Sequence, residues 1–109
     1  MHRDEIPPGT LYLLILRTLA RDGERHGYEI ANSIQAVSED VLRVEEGSLY
    51  PALQRMLIKR WVTARWGVTA GNRRARYYRL TTLGRKQLGA EISEFERVIQ
   101  AVRRVIRTA

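Results

Sequence analysis

Two groups of residues in this chain have the types and spacing to do chemistry. Ser48, Tyr50, Pro51, Gln54, Arg55 and Lys59 fall on one side of a helical repeat whose other side is Leu49, Leu53, Met56 and Leu57. Asn72, Arg73, Arg74 and Arg76 crowd a Gly71-Asn72 turn between two stretches rich in aromatic and β-branched residues. Gln and Arg read base edges through paired hydrogen bonds, and an α-helix fits the major groove of B-DNA. Arginines on a hairpin tip lie along phosphates or enter the minor groove. Ser48 and Tyr50 sit where the free N–H groups of a helix start favour an anion. Tyr28, near the start of an earlier helix, is placed to hydrogen-bond a phosphate if that helix crosses the DNA backbone. The implied chemistry is non-covalent recognition of double-stranded DNA. Each residue also has a plainer role available: Ser48 as a helix cap, Tyr50 as a half-buried ring, the arginines as solvated charges, and Arg79 as a flank of the sheet.

Covalent catalysis finds little support. The two histidines, His2 and His26, lie in different elements, and His26 suits a cap or packing role better than a proton shuttle. No His, Asp and Glu cluster has metal-ligand spacing, no nucleophile sits in a G-x-S-x-G setting, and no glycine-rich phosphate loop occurs. The expectation is therefore no enzyme, no metal and no cofactor. Cysteine is absent, which excludes disulfides and fits a reducing, cytoplasmic setting. The opening MHRDEIPPG lacks the apolar stretch of a secretory signal. The longest apolar run, Leu11–Leu16, is far short of the ~20 residues of a membrane span.

Charge points the same way. The net charge is +7, unevenly spread. Residues 1–40 hold 4 basic and 7 acidic groups, residues 41–80 hold 9 and 2, and residues 81–109 hold 6 and 3. The excess falls on the segment that carries the candidate reading helix and basic hairpin, the footprint of a polyanion partner.

The elements that would position these residues follow from pattern. With 109 residues, 44% of them hydrophobic, the chain suits one domain with one modest core. Residues 1–9 are expected to form an extended arm ending in Pro7-Pro8-Gly9. Thr10 is the expected cap of a helix over 11–21, which stops at Asp22-Gly23. A second helix is expected over 27–36, with Ile30, Ala31, Ile34 and Val37 on one face. Leu42-Arg43-Val44 suggests one rung of a small sheet. The reading helix starts near Gly47 or Ser48, with Pro51 tolerated if it falls in the first turn. Strands over 61–66 and 75–80 flank the basic turn, and Thr81 or Thr82 caps a last helix. The fold class is mainly α with a small β-hairpin wing: a winged helix-turn-helix over 1–80 followed by a long helix over 81–109.

In that last helix Leu88, Ile92, Phe95, Ile99, Val102 and Ile106 are spaced 4, 3, 4, 3, 4 apart, an a/d heptad seam. A helix that long outreaches so small a body, so the stripe, with Leu11 beside it, is expected to pair with a second copy. A two-fold dimer matches a palindromic site.

The segments HGYEIA at 26–31, GSLYPAL at 47–53 and NRRARYYRLTTLGRKQL at 72–88 resemble the PadR-type transcriptional regulators, in particular the short subfamily with a single C-terminal helix. The resemblance covers residues 9 to 107. It implies a homodimeric, cytoplasmic repressor of an inverted-repeat operator, and several family members are released by small aromatic or drug-like ligands. Two positions depart from the pattern: Arg60, where the family often has glycine, and Ala64-Arg65, where it tends to be acidic. No residue here matches a ligand motif. Tyr12 and Phe95 are the candidate walls of an effector pocket at the dimer interface. Two other functions fit the composition: a dimeric protein-interaction module that turns its basic face to an acidic partner, and a non-specific nucleic-acid binder.

Overall fold

The computed structural model describes Ile6 and residues 8–109. Most of the expected arm, including His2, lies outside the described residues. The elements run α1 (Pro8–Asp22), β1 (Arg25–His26), α2 (Gly27–Val37), α3 (Glu46–Ile58), β2 (Val62–Val68), β3 (Arg74–Leu80) and α4 (Thr82–Arg107). This is the mainly helical architecture with a small antiparallel sheet that the sequence predicts.

Helix α1 starts three residues earlier than expected, so Pro8 and Gly9 belong to it rather than to an extended arm, and Thr10 lies inside the first turn instead of capping it. Proline is compatible there because a first-turn residue has no intrahelical N–H bond to lose. The helix ends where Gly23 adopts φ +82° and returns its N–H to the Leu19 carbonyl at 3.0 Å, a left-handed stop that favours glycine. The turn delivers Arg25-His26 to the open edge of β3, where Arg25 pairs with Tyr78 and His26 with Tyr77. The sheet order is therefore β1-β3-β2.

The third rung is thus Arg25-His26, and Leu42–Val44, expected in that role, is irregular. The reason lies in how α2 ends. Glu39 and Asp40 both take left-handed φ (55° and 67°), and the Ser38 hydroxyl accepts the Leu42 N–H at 2.9 Å. The chain is bent back on the helix end before a strand can align. Leu42 and Val44 still turn inward and pack on the core.

Leu11, Ile15, Leu16 and Leu19 of α1 meet Ile30 and Ile34 of α2, Leu49, Ala52, Leu53 and Met56 of α3, and Val62, Tyr78 and Leu80 of the sheet, all buried. Burying side chains of this size supplies roughly 1.5–3 kcal/mol each. Among the described residues Thr18 is the buried polar one, and its hydroxyl donates to the Leu14 carbonyl at 2.7 Å.

Thr81 joins the wing to α4. Its N–H donates to the Trp61 carbonyl at 3.0 Å, and its hydroxyl oxygen accepts the Gly84 N–H at 2.9 Å. Gly84 lies so close to the Trp61 carbonyl oxygen that a Cβ there would stand 2.1 Å from it. The Leu-Thr-Thr-Leu-Gly sequence therefore encodes a cap and a close helix–backbone approach. From there α4 runs 26 residues, about 39 Å at 1.5 Å per residue, packing its first half on α1. The radius of gyration, 15.2 Å, exceeds the ~13 Å of a compact chain this size, because α4 projects. Among the described residues no helix is long and apolar enough to cross a membrane.

Candidate nucleic-acid interface

Helix α3 buries Leu49, Ala52, Leu53 and Met56 and leaves Ser48, Tyr50, Pro51, Gln54, Arg55 and Lys59 exposed. At about 100° per residue the exposed arc has two flanks. Tyr50 and Gln54 occupy the side toward α2 and the wing, Ser48, Arg55 and Lys59 the side toward α1, with Pro51 between them.

The start of the helix differs from expectation. The cap is Glu45 and the first helical residue Glu46, so Ser48 is not the N-cap, and Pro51 falls in the second turn. Proline there forgoes the bond to the Gly47 carbonyl, which belongs to an exposed residue and is open to water. Two carboxylates at this end complement the helix dipole, but they oppose a phosphate. The helix start expected to favour an anion at Ser48 and Tyr50 therefore carries two carboxylates of its own.

Two of the sequence motifs interlock at α2. His26 is the N-cap: its Nδ1 accepts the Glu29 N–H at 3.4 Å, while the Glu29 carboxylate accepts the His26 N–H at 3.1 Å, a reciprocal capping box. The His26 ring stands edge-on to Tyr77 at 5.3 Å and lies nearly parallel to Tyr28 at 6.5 Å. Gly27 is the seat of Tyr50, since a Cβ at 27 would come within 2.8 Å of the Tyr50 ring and hydroxyl. The glycine of HGYE and the tyrosine of GSLYPAL are one contact, and it sets how closely α2 and α3 approach. Tyr28 itself is 67% exposed.

The wing is longer than the sequence suggests. Val68 still pairs with Arg74, so the connection shrinks to residues 69–73. It is closed by the Thr69 N–H to the Arg73 carbonyl at 2.8 Å, with Asn72 rather than Gly71 taking the left-handed φ of 62°. Trp66 pairs with Arg76 and is two positions from the Val68–Arg74 pair, on the same face. Its ring receives both guanidinium groups, Arg74 at 4.5 Å and Arg76 at 5.9 Å. Stacking on the ring's negative face offsets the repulsion between two like charges and holds both on one side of the hairpin. Trp66 thus belongs to the basic cluster of the wing, which charge counting alone does not reveal; its cross-strand pairing with Arg76 is the available signal.

The opposite side of the wing holds Arg65. It lies over the Tyr77 ring at 5.0 Å and reaches across β3 to Glu24, with bonds of 2.7 and 3.0 Å from Nη2 and Nε. The Arg65 hydrogen bond holds the Glu24 carboxyl below its ordinary value, with smaller help from the Arg79 charge, and Glu24 in turn raises the arginine. Arg65 is therefore engaged within its own chain.

Tyr28, Tyr50, Arg73, Arg74 and Arg76 meet around one open groove between the start of α2, the start of α3 and the wing, with Glu29 and Glu46 on its helix side. Gln54 adjoins it on α3. Arg55 and Lys59 lie on the other flank: Arg55 Nε donates to the Tyr12 hydroxyl and Lys59 stands over Trp61 at 5.2 Å.

Along α4 the expected seam divides. Leu88 is 9% and Leu11 3% exposed; both belong to the chain's own core, and Leu11 has almost no surface left for a second copy. Ile92 and Ile99 are half-buried, whereas Phe95, Val102 and Ile106 are exposed, as are Val98 and Val105, which the heptad count omits. Val98, Ala101, Val102, Val105 and Ile106 edge a shallow apolar groove of about 340 Å³. Tyr12, on α1, and Phe95, on α4, line neither groove.

Comparison with known proteins follows the same lines. Residues 15–90 match the model of the transcriptional regulator PadR-like family. A protein of uncharacterised function from Lysinibacillus sphaericus is 31% identical over 102 residues, covering 94% of this chain and 93% of its own. A transcriptional regulator from Clostridium thermocellum superposes with a TM-score of 0.82 at 25% identity, over 91% of this chain and 95% of that one. A PadR family transcription regulator from Clostridium difficile does so at 0.72 and 26%, over 88% and 97%.

Proposed function

The chain belongs to the PadR-like family of transcriptional regulators, and from that premise we propose that it acts as a homodimeric repressor of an inverted-repeat operator. It binds DNA and is a regulator rather than an enzyme. In the proposed complex α3 enters the major groove with Gln54 and Arg55 toward base edges, and Ser48, Pro51 and Lys59 beside them. Asn72, Arg73, Arg74 and Arg76 follow the phosphates from the wing, and Tyr28 meets the backbone where α2 crosses it.

The observation that carries this reading is the groove beside α3, where Trp66 holds Arg74 and Arg76 on one side of the hairpin. Cations fixed this way lose less freedom on meeting a phosphate than solvated ones. The carboxylates of Glu45 and Glu46 at the start of α3 favour the same arrangement, with backbone contact left to the wing and base contact to the helix.

The DNA-binding unit in this scheme runs to Leu80 and the dimerisation unit is α4. The support is the wide apolar face of α4, where Phe95, Val98, Val102, Val105 and Ile106 are exposed and Ile92 and Ile99 have surface left to cover. A small aromatic effector would find its apolar surface at that seam, beside Phe95. Tyr12 is already engaged by Arg55 and Trp61.

The test is a titration against a duplex selected by the protein from a randomised pool, at several salt concentrations. Affinity should fall with a log–log slope of about −0.9 per phosphate neutralised. Replacing Arg73 and Arg74 together by alanine should weaken binding to every sequence alike and flatten the slope by roughly 1.8. Salt-insensitive binding, or a change of preferred sequence in that variant, would defeat the assignment of the wing to phosphates.

A further inference from the structure

Building on the reading in which Arg55 faces base edges, we propose that Tyr12 is the positioning residue that holds Arg55 in its base-reading rotamer and so sets the sharpness of base preference. Arg55 Nε donates to the Tyr12 hydroxyl, and the guanidinium carbon lies 5.6 Å from the Tyr12 ring centroid. The tyrosine is itself fixed. It stands edge-on to Trp61, with centroids 5.6 Å apart and planes at 85°. It also extends from α1 next to Leu11, which is buried at 3% exposure, and one turn before the fully buried Ile15 and Leu16. Lys59 covers Trp61 at 5.2 Å. An exposed arginine on α3 is thus tied to a point anchored in the core through another helix.

The hydrogen-bond inventory gives this tie a direction. Arginine has five N–H donors and no acceptor. The single donor on Nε is taken by Tyr12, which leaves the four donors on Nη1 and Nη2, the end-on fork. That fork matches the O6 and N7 acceptors of guanine in the major groove. A phosphate would accept the same fork, but the wing already supplies cations for the backbone, and fixing an arginine rotamer benefits a contact that depends on geometry more than one that depends on charge. Tyr12 touches no DNA in this arrangement.

The experiment uses the full-length protein and a fluorescent duplex recovered from a randomised pool by the wild type, together with every single-base variant of that duplex. Arg55→Ala should abolish the preference for guanine at one position of each half-site. Arg55→Lys should abolish it too while keeping the salt slope. Tyr12→Phe keeps the ring and its Trp61 contact and removes only the anchor. It should leave the melting temperature and salt slope unchanged and reduce the guanine preference by about two- to twelvefold, as freeing one rotamer-rich side chain would. If Arg55→Ala loses the preference and Tyr12→Phe keeps it in full, the positioning role is wrong and the base-reading role stands. If Arg55→Ala changes no preference, the base-reading role itself is wrong. If Tyr12→Phe weakens all duplexes equally with a flatter salt slope, Arg55 is a phosphate clamp and the guanine assignment is overturned.

Discussion

The same chemical change at two glycines of α4 should move stability in opposite directions. At Gly84 a new Cβ would lie 2.1 Å from the Trp61 carbonyl oxygen and 2.8 Å from the Leu80 side chain. Ordinary contact begins at 3.4 Å, so the helix start and the Trp61 peptide must part by about 1.3 Å. Neither can yield freely. The Trp61 carbonyl accepts the Thr81 N–H at 3.0 Å, the Thr81 hydroxyl donates to the neighbouring Arg60 carbonyl at 2.7 Å, and that hydroxyl oxygen is the cap of α4. Overpacking costs about 1–3 kcal/mol and a weakened cap about 1 kcal/mol, against a helix-propensity gain of about 1 kcal/mol for alanine. Gly84→Ala should therefore destabilise by roughly 1–3 kcal/mol, which lowers Tm by about 4–12 °C in a domain of this size. At Gly89 an added methyl would meet nothing within 4 Å, so Gly89→Ala should stabilise by about 0.4–1 kcal/mol. Urea and thermal unfolding at one fixed protein concentration would compare the two, because dimerisation couples stability to concentration. A Gly84→Ala protein as stable as the wild type would refute the close approach as the reason for the glycine.

Three other outcomes are expected. Arg60 is the left-handed residue of a helix-ending motif, φ 63°, with its N–H on the Leu57 carbonyl and the Trp61 N–H on the Met56 carbonyl, both at 3.0 Å; Arg60→Gly should raise stability in urea by up to about 1 kcal/mol, and a loss would contradict that backbone account. Ile99→Asp should convert a dimer to monomers in light scattering without unfolding them, since it sets a charge in the proposed apolar seam; an unchanged dimer would move the interface elsewhere. Glu24, held below its ordinary value by Arg65, contributes stability fully present above the ordinary carboxylate range and lost as pH falls through its lowered folded value. NMR titration of Glu24 should show its value move up toward the ordinary one in Arg65→Ala, and no movement would mean that the ion pair does not form in solution.

The wing and α3 were legible because their signals are local. Periodic leucines separate the inner and outer faces of α3, and a Gly-Asn turn between β-favouring runs announces a hairpin. All the DNA-contact candidates on α3 are exposed for the same reason: a pattern that assigns the core assigns the surface by complement. Leu42–Val44 misled because strand propensity is realised only beside a free edge, and Gly23 had already brought Arg25-His26 to that edge. Thr10 and Ser48 misled because a good capping residue caps only where the helix starts. Helix α1 starts three residues earlier, at Pro8, and α3 one or two residues earlier, at Glu46 behind its cap Glu45.

What the amino-acid order determined by itself was the division of each helix into faces, the basic hairpin, the long apolar stripe after Thr81 and the family to which these motifs point. Tertiary structure decided the pairings between residues far apart in the chain: Gly27 under Tyr50, Arg65 with Glu24, Gly84 on the Trp61 carbonyl, and Arg55 on Tyr12. It also placed Leu11 in the core instead of at a seam between chains. Periodicity reports which way a side chain faces relative to its own element. It carries no information on which other element stands opposite, because that depends on how the turns at Gly23, Arg60 and Thr81 orient whole elements against one another.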